Sequence, residues 1–254
     1  MRIVRFEIPG TSGARAGIES DGLVRELTGD IFGPYDQTKG EFPLDKIRLL
    51  APCQPTKITA IGLNYRDHAE EMKHEIPKEP LMFMKPSSSV IGPGDTIRMP
   101  SVSRRVDYEA ELGVVIGRTA CKVAQEKALD YVLGYTCLND VTARDLQGQD
   151  GQWTRAKGFD TFCPIGPAIV TDLDPSDILV EAYLNGERKQ SSSTRNLIAD
   201  VKRLVSYISA VMTLYPGDVI ATGTPSGVGP VQSGDRIEIR VGGIGSLINP
   251  VSAE

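Results

Sequence analysis

The densest chemistry in the chain lies in the stretch from Asp107 to Gly117, which reads DYEAELGVVIG. Read as a strand, it places Glu109 and Glu111 on one face, about 7 Å apart along the chain, with Tyr108, Ala110 and Leu112 on the other. The run Val114-Val115-Ile116 that follows has the continuous apolar character of a strand buried on both sides. Two carboxylates entering such a region repel each other and lose hydration, a cost of several kcal/mol per buried charge. A divalent cation compensates both at once. An exposed strand bearing two acids is the ordinary alternative for a bare Glu-x-Glu pattern, and the apolar continuation tells against it.

A third acid comes from GYTCLNDVTARDLQ, residues 134–147, where Asp140 ends an apolar run, a usual place for a site residue. Asp145 reads as a helix or turn acid with no metal role. The chain holds only two histidines, His68 and His74, so a multi-histidine centre cannot be built and any metal must be held mainly by oxygen. Three carboxylates around Mg²⁺ or Mn²⁺ leave about three octahedral positions for water and substrate, an open arrangement of catalytic style. The segment Asn64 to Glu71 reads as a short helix with Asn64 as a candidate cap. His68 and Glu71 then share a face. A carboxylate beside an imidazole orients it and raises its basicity, as a general base requires. A solvated helix pair is the ordinary reading of a lone His-x-x-Glu.

These residues need a scaffold, and 254 residues with 40% hydrophobic and 24% charged content supply one large domain or one domain with a small appendage. Strand patterns over 3–8, 14–19 and 23–27 mark a small N-terminal β module. Pro52 and Pro55 bracket a hinge, dividing the chain into residues 1–54 and a main domain, 55–254. Strands are expected over 58–63, 109–116, 169–170, 178–184, 218–222 and 236–241. Three Gly-Asp turns, at Gly94, Gly217 and Gly234, each enter a β-branched run. Helices are expected over 197–214, stopped by Pro216-Gly217, and over about 124–133, ended by Gly134. Strands outnumber helices and do not alternate with them, which predicts a β-rich α+β domain and not a doubly wound sheet.

Several functions are excluded. The sequence GTPSGVG, residues 223–229, lacks the Lys-Ser/Thr of a phosphate loop, the spacing of a dinucleotide turn and the Ser position of a nucleophile elbow. The acids of TDLDPSD (Asp172, Asp174, Asp177) lack the Gly and distal Glu of a calcium loop and read as a solvated turn. A net charge of −5 with scattered Lys and Arg argues against nucleic acid or anionic membrane as a partner. No apolar run approaches about 18 residues, so nothing is expected to span a bilayer. The N-terminal MRIVRFEIPG turns charged before a signal-peptide core could form, which predicts a cytoplasmic chain. Cys53, Cys121, Cys137 and Cys163 form no CxxC pair and are expected as buried reduced thiols.

Six separated motifs also occur here in the order of the fumarylacetoacetate hydrolase family: GLNYRDHAEEM (from Gly62), FMKP (from Phe83), the Glu-x-Glu strand, NDVTARDLQ, WTRAKGFDTFCPIGP (from Trp153) and GTPSGVG. The chain resembles that family over roughly residues 55–245, in its acylpyruvase and 2-hydroxyhepta-2,4-diene-1,7-dioate isomerase-like branch. The resemblance implies a mixed β-roll, usually dimeric, with one Mg²⁺ or Mn²⁺ per subunit on Glu109, Glu111 and Asp140. It places Lys157 near the metal-bound oxygens and Arg144, Gln147 and Thr224 in the substrate pocket. Within its pattern, His68 and Glu71 resemble a dyad that activates water on a mobile lid over 64–80. Lys85 is left open between a structural role, neutralising an acid beside the site, and a place among the substrate-binding residues. His74 has no such context and reads as a surface residue.

The implied substrate is a small 2-oxo acid chelating the metal through its carboxylate and keto oxygens, with the metal as Lewis acid stabilising the enolate. Lys157 would add positive charge there. Backbone N–H groups of residues 223–229 could hold a substrate carboxylate, as glycine-rich turns hold anions, or the segment could be a plain tight turn. The leading expectation is hydrolysis of a C–C bond in a 2,4-dioxo acid, an acylpyruvate such as fumarylpyruvate. Oxaloacetate decarboxylation and keto–enol or double-bond isomerisation use the same enolate. A metal-stabilised binding protein and a Rossmann-type oxidoreductase are the rivals from other classes. The former is disfavoured by His68, Glu71 and Lys157, and the latter by the missing glycine fingerprint.

Overall fold

The computed structural model describes residues 1–72 and 75–254, so His74 lies outside the described residues. Its spine is a 12-stranded mixed sheet. The path runs from the N-terminal strands Tyr35–Pro43, Leu23–Gly29, Arg15–Ser20 and Arg2–Glu7 into Cys163–Val170, Val132–Asn139 and Ala110–Ile116. It ends on Val219–Ala221, Ile58–Gly62 and Leu81–Lys85. A five-stranded sheet (Glu187–Ser193, Leu179–Leu184, Arg236–Val241, Gly245–Ala253, Ile97–Met99) packs against it. A three-stranded sheet joins Thr142–Ala143, Val106–Tyr108 and Gly229–Pro230. Among the described residues there are four short α-helices: α1 (Arg66–Met72), α2 (Arg144–Asp150), α3 (Thr154–Lys157) and α4 (Val201–Val211). This is the β-rich α+β architecture that the strand patterning predicts.

The pleat of Ala110–Ile116 decides which residues face what. Leu112, Val114 and Ile116 enter the larger core with Val201, Leu204, Val205 and Ile208 of α4. Val115 enters a second core with Ile58, Leu138, Ile165 and Val219. Glu109 and Glu111 follow the parity of Val115. The strand expected over 109–116 is broken at Glu109, between Val106–Tyr108 and Ala110–Ile116. The break has a cause: the Glu109 N–H donates to the Asn139 side-chain oxygen at 2.9 Å instead of to a ladder carbonyl.

The three Gly-Asp turns share one construction. Gly94, Gly217 and Gly234 have φ of 79°, 87° and 94°. Each following Asp accepts the N–H three residues back: Gly92 to Asp95 at 2.8 Å, Tyr215 to Asp218 at 2.8 Å and Gln232 to Asp235 at 2.7 Å. The acids of 172–177 also close local contacts, Asp174 accepting the Ser176 N–H at 3.0 Å.

Both expected helices are shorter than their apolar periodicity. Residues 197–199 are drawn away from α4 by Asn64, whose side-chain oxygen accepts the Ala199 N–H at 2.8 Å and whose carbonyl accepts the Ile198 N–H at 2.8 Å. Asp200 then caps α4 by accepting the Arg203 N–H at 2.8 Å. The helix ends at Val211, with Met212 extended at φ −147°, before Pro216 is reached. The segment expected over 124–133 is a 3₁₀ turn, Gln125–Tyr131, followed at once by a strand. Gly134 lies inside that strand, where a Cβ would stand 2.4 Å from the Val170 carbonyl oxygen, so it is a close-approach glycine and not a helix stop. Cys53, Cys137 and Cys163 are buried and free, and burial pushes each thiol up to about 12. Cys121 is exposed, contrary to expectation. No described helix is long and apolar enough to cross a membrane.

Candidate active site

Asp140 follows directly on the strand Val132–Asn139, which pairs antiparallel with Ala110–Ile116, Ala110 opposite Asn139 and Glu111 opposite Leu138. Its N–H donates to the Glu109 carbonyl at 2.9 Å. The strand pairing therefore brings the three acids together. Carboxylate oxygens of Glu109, Glu111 and Asp140 lie within 4.8 Å of one another, the one such cluster among the described residues. All three are nearly sealed from solvent, at 6%, 1% and 1% exposed.

Cations hold two of these acids. Lys157 Nζ donates to Glu109 Oε2 at 2.8 Å and to Asp140 Oδ2 at 2.6 Å. Lys85 Nζ takes the other Asp140 oxygen at 2.6 Å and the Val141 carbonyl at 3.2 Å. Arg144 reaches the other Glu109 oxygen, Asp107 at 2.9 Å and Gln147 at 2.7 Å. Burial alone would raise the Glu109 carboxyl, but Lys157 and Arg144 together hold it down to about 2. Lys157 is itself fully buried, yet Asp140 and Glu109 keep its ammonium above the ordinary lysine range. Glu111 has the opposite balance: burial, then the charges of Asp140 and Glu109, push it well above the carboxylate range. Its one hydrogen-bond partner among the described residues is the Gly223 N–H, at 2.8 Å.

This donor set fits a hard divalent cation. Three buried carboxylates converge, and one of them cannot comfortably ionise without further positive charge. The acids line a cavity of about 510 Å³ together with Lys157, Arg144, Gln147 and Thr224. Leu63, Leu81, Phe83 and Trp153 give the cavity its apolar lining. Trp153 meets Phe83 edge-on at 5.2 Å, and Lys157 Nζ lies 5.0 Å from the Phe83 ring centroid. A Cβ on Gly62 would stand 2.6 Å from the Trp153 ring, so a glycine is needed for the aromatic wall to close.

His68, from α1, lines the same cavity. Its Nδ1 lies 3.1 Å from Glu71 Oε2, and among the described residues Nε2 has no protein partner. Glu71 accepts the Gly227 N–H at 3.2 and 3.3 Å. On the same helix, Asp67 accepts from the Ser192 hydroxyl. The N–H groups of Gly223 and Gly227, which the sequence offered to a substrate carboxylate, are thus already given to Glu111 and Glu71.

Eight of the ten residues singled out by sequence line one cavity. Glu71 stands behind His68, and Lys85 stands behind Asp140, fully buried and off the cavity wall. Asn64 is not a helix cap: its side chain donates to the Ala199 and Thr222 carbonyls at 3.0 and 2.7 Å, tying α1's entry to the loop beyond Val219–Ala221. Sequence reasoning missed Asp107, fully buried beneath Arg105 and Arg144. Its position two residues before Glu109, on the same strand face, was the available signal. It also missed Asn139, although it adjoins Asp140, and Gln190, whose neighbours carry no such sign.

A family model described as fumarylacetoacetate hydrolase C-terminal matches residues 57–252, and one described as Rv2993c-like, N-terminal, matches residues 1–52. The rat mitochondrial oxaloacetate tautomerase Fahd2a is 37% identical over 99% of this chain and 91% of its own. The crystal structure of 5-carboxymethyl-2-hydroxymuconate delta-isomerase from Mycobacterium smegmatis superposes with TM-score 0.94 at 46% identity, covering 100% of both chains. The maleylpyruvate hydrolase of Sphingobium sp. SYK-6, solved with manganese(II) and pyruvate, superposes with TM-score 0.84 at 33% identity, over 100% of this chain and 99% of that one.

Proposed function

The chain belongs to the fumarylacetoacetate hydrolase family, and we propose that it works there as a Mg²⁺- or Mn²⁺-dependent enzyme on small 2-oxo acids, hydrolysing a C–C bond in acylpyruvates. The observation that carries this reading is that three buried carboxylates and His68, with Glu71 hydrogen-bonded to it from outside the cavity wall, meet on one cavity. Manganese and pyruvate in the Sphingobium hydrolase support it.

Glu109, Glu111 and Asp140 would hold the ion. The chemistry a bound divalent cation supplies there is polarisation of the carboxylate and keto oxygens of a 2-oxo acid. Lys157, kept as an ammonium between Glu109 and Asp140, adds positive charge where the substrate's oxygen becomes negative. Arg144 and Gln147 are fixed to each other and offer polar contacts beside it. Glu71 orients the imidazole through Nδ1, which leaves Nε2 to take a proton from water. The water oxygen bonds to the distal acyl carbon, the C–C bond breaks, and its electrons leave with the pyruvate half, which takes up a proton at C3. The products are pyruvate and a carboxylic acid.

A second reading, enolisation of oxaloacetate, is favoured by the likeness to the rat oxaloacetate tautomerase and needs no activated water. One experiment separates the two. Acylpyruvates, oxaloacetate and unsaturated 2-oxo diacids are assayed with Mg²⁺ and with Mn²⁺, using wild type and His68→Ala. Hydrolysis should fall by about 10²–10⁴ in His68→Ala, while Mn²⁺ affinity holds and enolisation survives better. Absence of turnover on every 2-oxo acid with either metal sinks the reading. Loss of metal binding with hydrolysis would make His68 a ligand or a structural residue.

A further inference from the structure

Gln190 lies on Glu187–Ser193 in the polar run ERKQSSS, where nothing in the sequence marks it. It is 1% exposed and makes three hydrogen bonds. Its Oε1 accepts the N–H of Ala110, the residue between Glu109 and Glu111, at 2.9 Å. Its Nε2 donates to Thr224 Oγ1 at 2.8 Å and to the Pro225 carbonyl at 2.8 Å.

These partners leave the amide no second orientation. A backbone N–H only donates, so the atom facing Ala110 is the oxygen; a backbone carbonyl only accepts, so the atom facing Pro225 is the nitrogen. It follows that Thr224 Oγ1 receives a hydrogen bond from the amide. A threonine hydroxyl has one proton, and with the amide occupying a lone pair that proton must point elsewhere. Thr224 lines the cavity, and no protein acceptor takes its proton among the described residues.

We propose that Gln190 is a positioning residue that fixes the Thr224 hydroxyl as a hydrogen-bond donor into the cavity. The inference rests on the 2-oxo acid reading only for the ligand that receives the bond, a carboxylate or keto oxygen. The same amide ties the link between two of the clustered acids to the loop that holds Glu111 through Gly223 and Glu71 through Gly227.

The test measures pyruvate affinity at saturating Mn²⁺ by calorimetry for wild type, Thr224→Val, Thr224→Ser, Gln190→Leu and Gln190→Leu/Thr224→Val, beside Mn²⁺ affinity and Tm. Thr224→Val should weaken pyruvate by about tenfold, the cost of one donor to a charged oxygen, and Thr224→Ser should restore most of it. Once Gln190 is gone, Thr224→Val should cost clearly less than it does in wild type. Additive losses, or Thr224→Val binding like wild type, overturn the proposal. Neutron diffraction of the wild-type protein stands apart from both substrate and folding. A Thr224 deuteron directed into the cavity supports the proposal, and one on the line to Gln190 overturns it. Failure of wild type to bind pyruvate, with the deuteron in the cavity, counts against the substrate and not against the hydroxyl.

Discussion

Glu111 differs from Glu109 and Asp140 in having no ammonium or guanidinium against it among the described residues. Without an ion its carboxyl resists ionisation, because burial and two neighbouring carboxylates oppose the charge. Glutamine is then close to isosteric with the species it replaces. Glu111→Gln should leave the metal-free Tm unchanged or higher, and should abolish the Tm rise that Mn²⁺ gives the wild type. A ligand at a hundred times its Kd stabilises by about 2.7 kcal/mol; thermal scans with and without Mn²⁺ read the difference, and a persisting shift removes Glu111 from the metal site. The acids were legible in the sequence because a Glu-x-Glu face inside an apolar run conflicts with burial. Lys85 was not, since a lysine in FMKP could answer any of several acids. Only the pairing of Asp140 with both Lys85 and Lys157 shows that each of its oxygens has a cation.

Elements are held to the site by long-range contacts that patterning does not reveal. Asp218, fully buried at the turn into Val219–Ala221, accepts from the Thr56 N–H at 3.0 Å, its hydroxyl at 2.7 Å and the Tyr215 N–H at 2.8 Å, and pairs with Lys57. Burial alone would raise its carboxyl, but Lys57, the Tyr215 N–H and Thr56 together hold it below the ordinary value. A depressed folded pKa gives stability that is complete above the unfolded value, about 3.9, and is lost as pH falls through the folded one. Asp218→Asn should therefore cost about 3–5 kcal/mol at neutral pH, because it strands Lys57. It should also flatten the loss of stability below about pH 4. Urea titrations across pH check both, and parallel wild-type and variant curves contradict the assignment. Gly227 makes the second such contact. With φ +92°, a Cβ there would stand 2.2 Å from the Lys189 carbonyl oxygen, so Gly227→Ala must move the loop and withdraw its N–H from Glu71. Hydrolytic kcat should fall by about tenfold or more, the order of one charge-assisted hydrogen bond, with Mn²⁺ affinity kept; unchanged kcat would show that Glu71 orients His68 without the loop. The three Gly-Asp turns could be read from sequence because their signal is local. The shortened α4 could not, because Asn64, more than a hundred residues away, competes for its first turn.

At the scale of the whole molecule, the hinge read at Pro52 and Pro55 does not divide the sheet. Arg2–Glu7 pairs with Cys163–Val170, placing Ile3 opposite Ile169. Ile3 is fully buried in the core that holds Ile165, Leu138 and Val115, the last of these on the strand that carries Glu111. Arg2 donates to the Ile244 carbonyl at 2.7 Å, and Arg48 pairs with Asp95 at 2.6 Å. The N-terminal strands therefore share a core with the strand that carries Glu111, and composition shifts at two prolines could not reveal that, since strand pairing is a long-range fact. We further propose that two copies associate, as the family resemblance implies; sedimentation should give about twice the 27.5 kDa chain mass, and a monomer at working concentration would contradict it. The shared core makes a sharper demand. A module that folded alone would melt alone, whereas Arg2–Glu7 cannot leave without exposing the core that Ile3 shares with Ile165, Leu138 and Val115. Calorimetry of the full chain should show one transition whose calorimetric and van't Hoff enthalpies agree per cooperative unit. Mn²⁺ should raise that single transition as a whole, so that stabilising Glu109, Glu111 and Asp140 also protects the amides of Arg2–Glu7 from hydrogen exchange. Two resolved transitions, with only the upper one moved by Mn²⁺, would show that residues 1–54 form an independent unit.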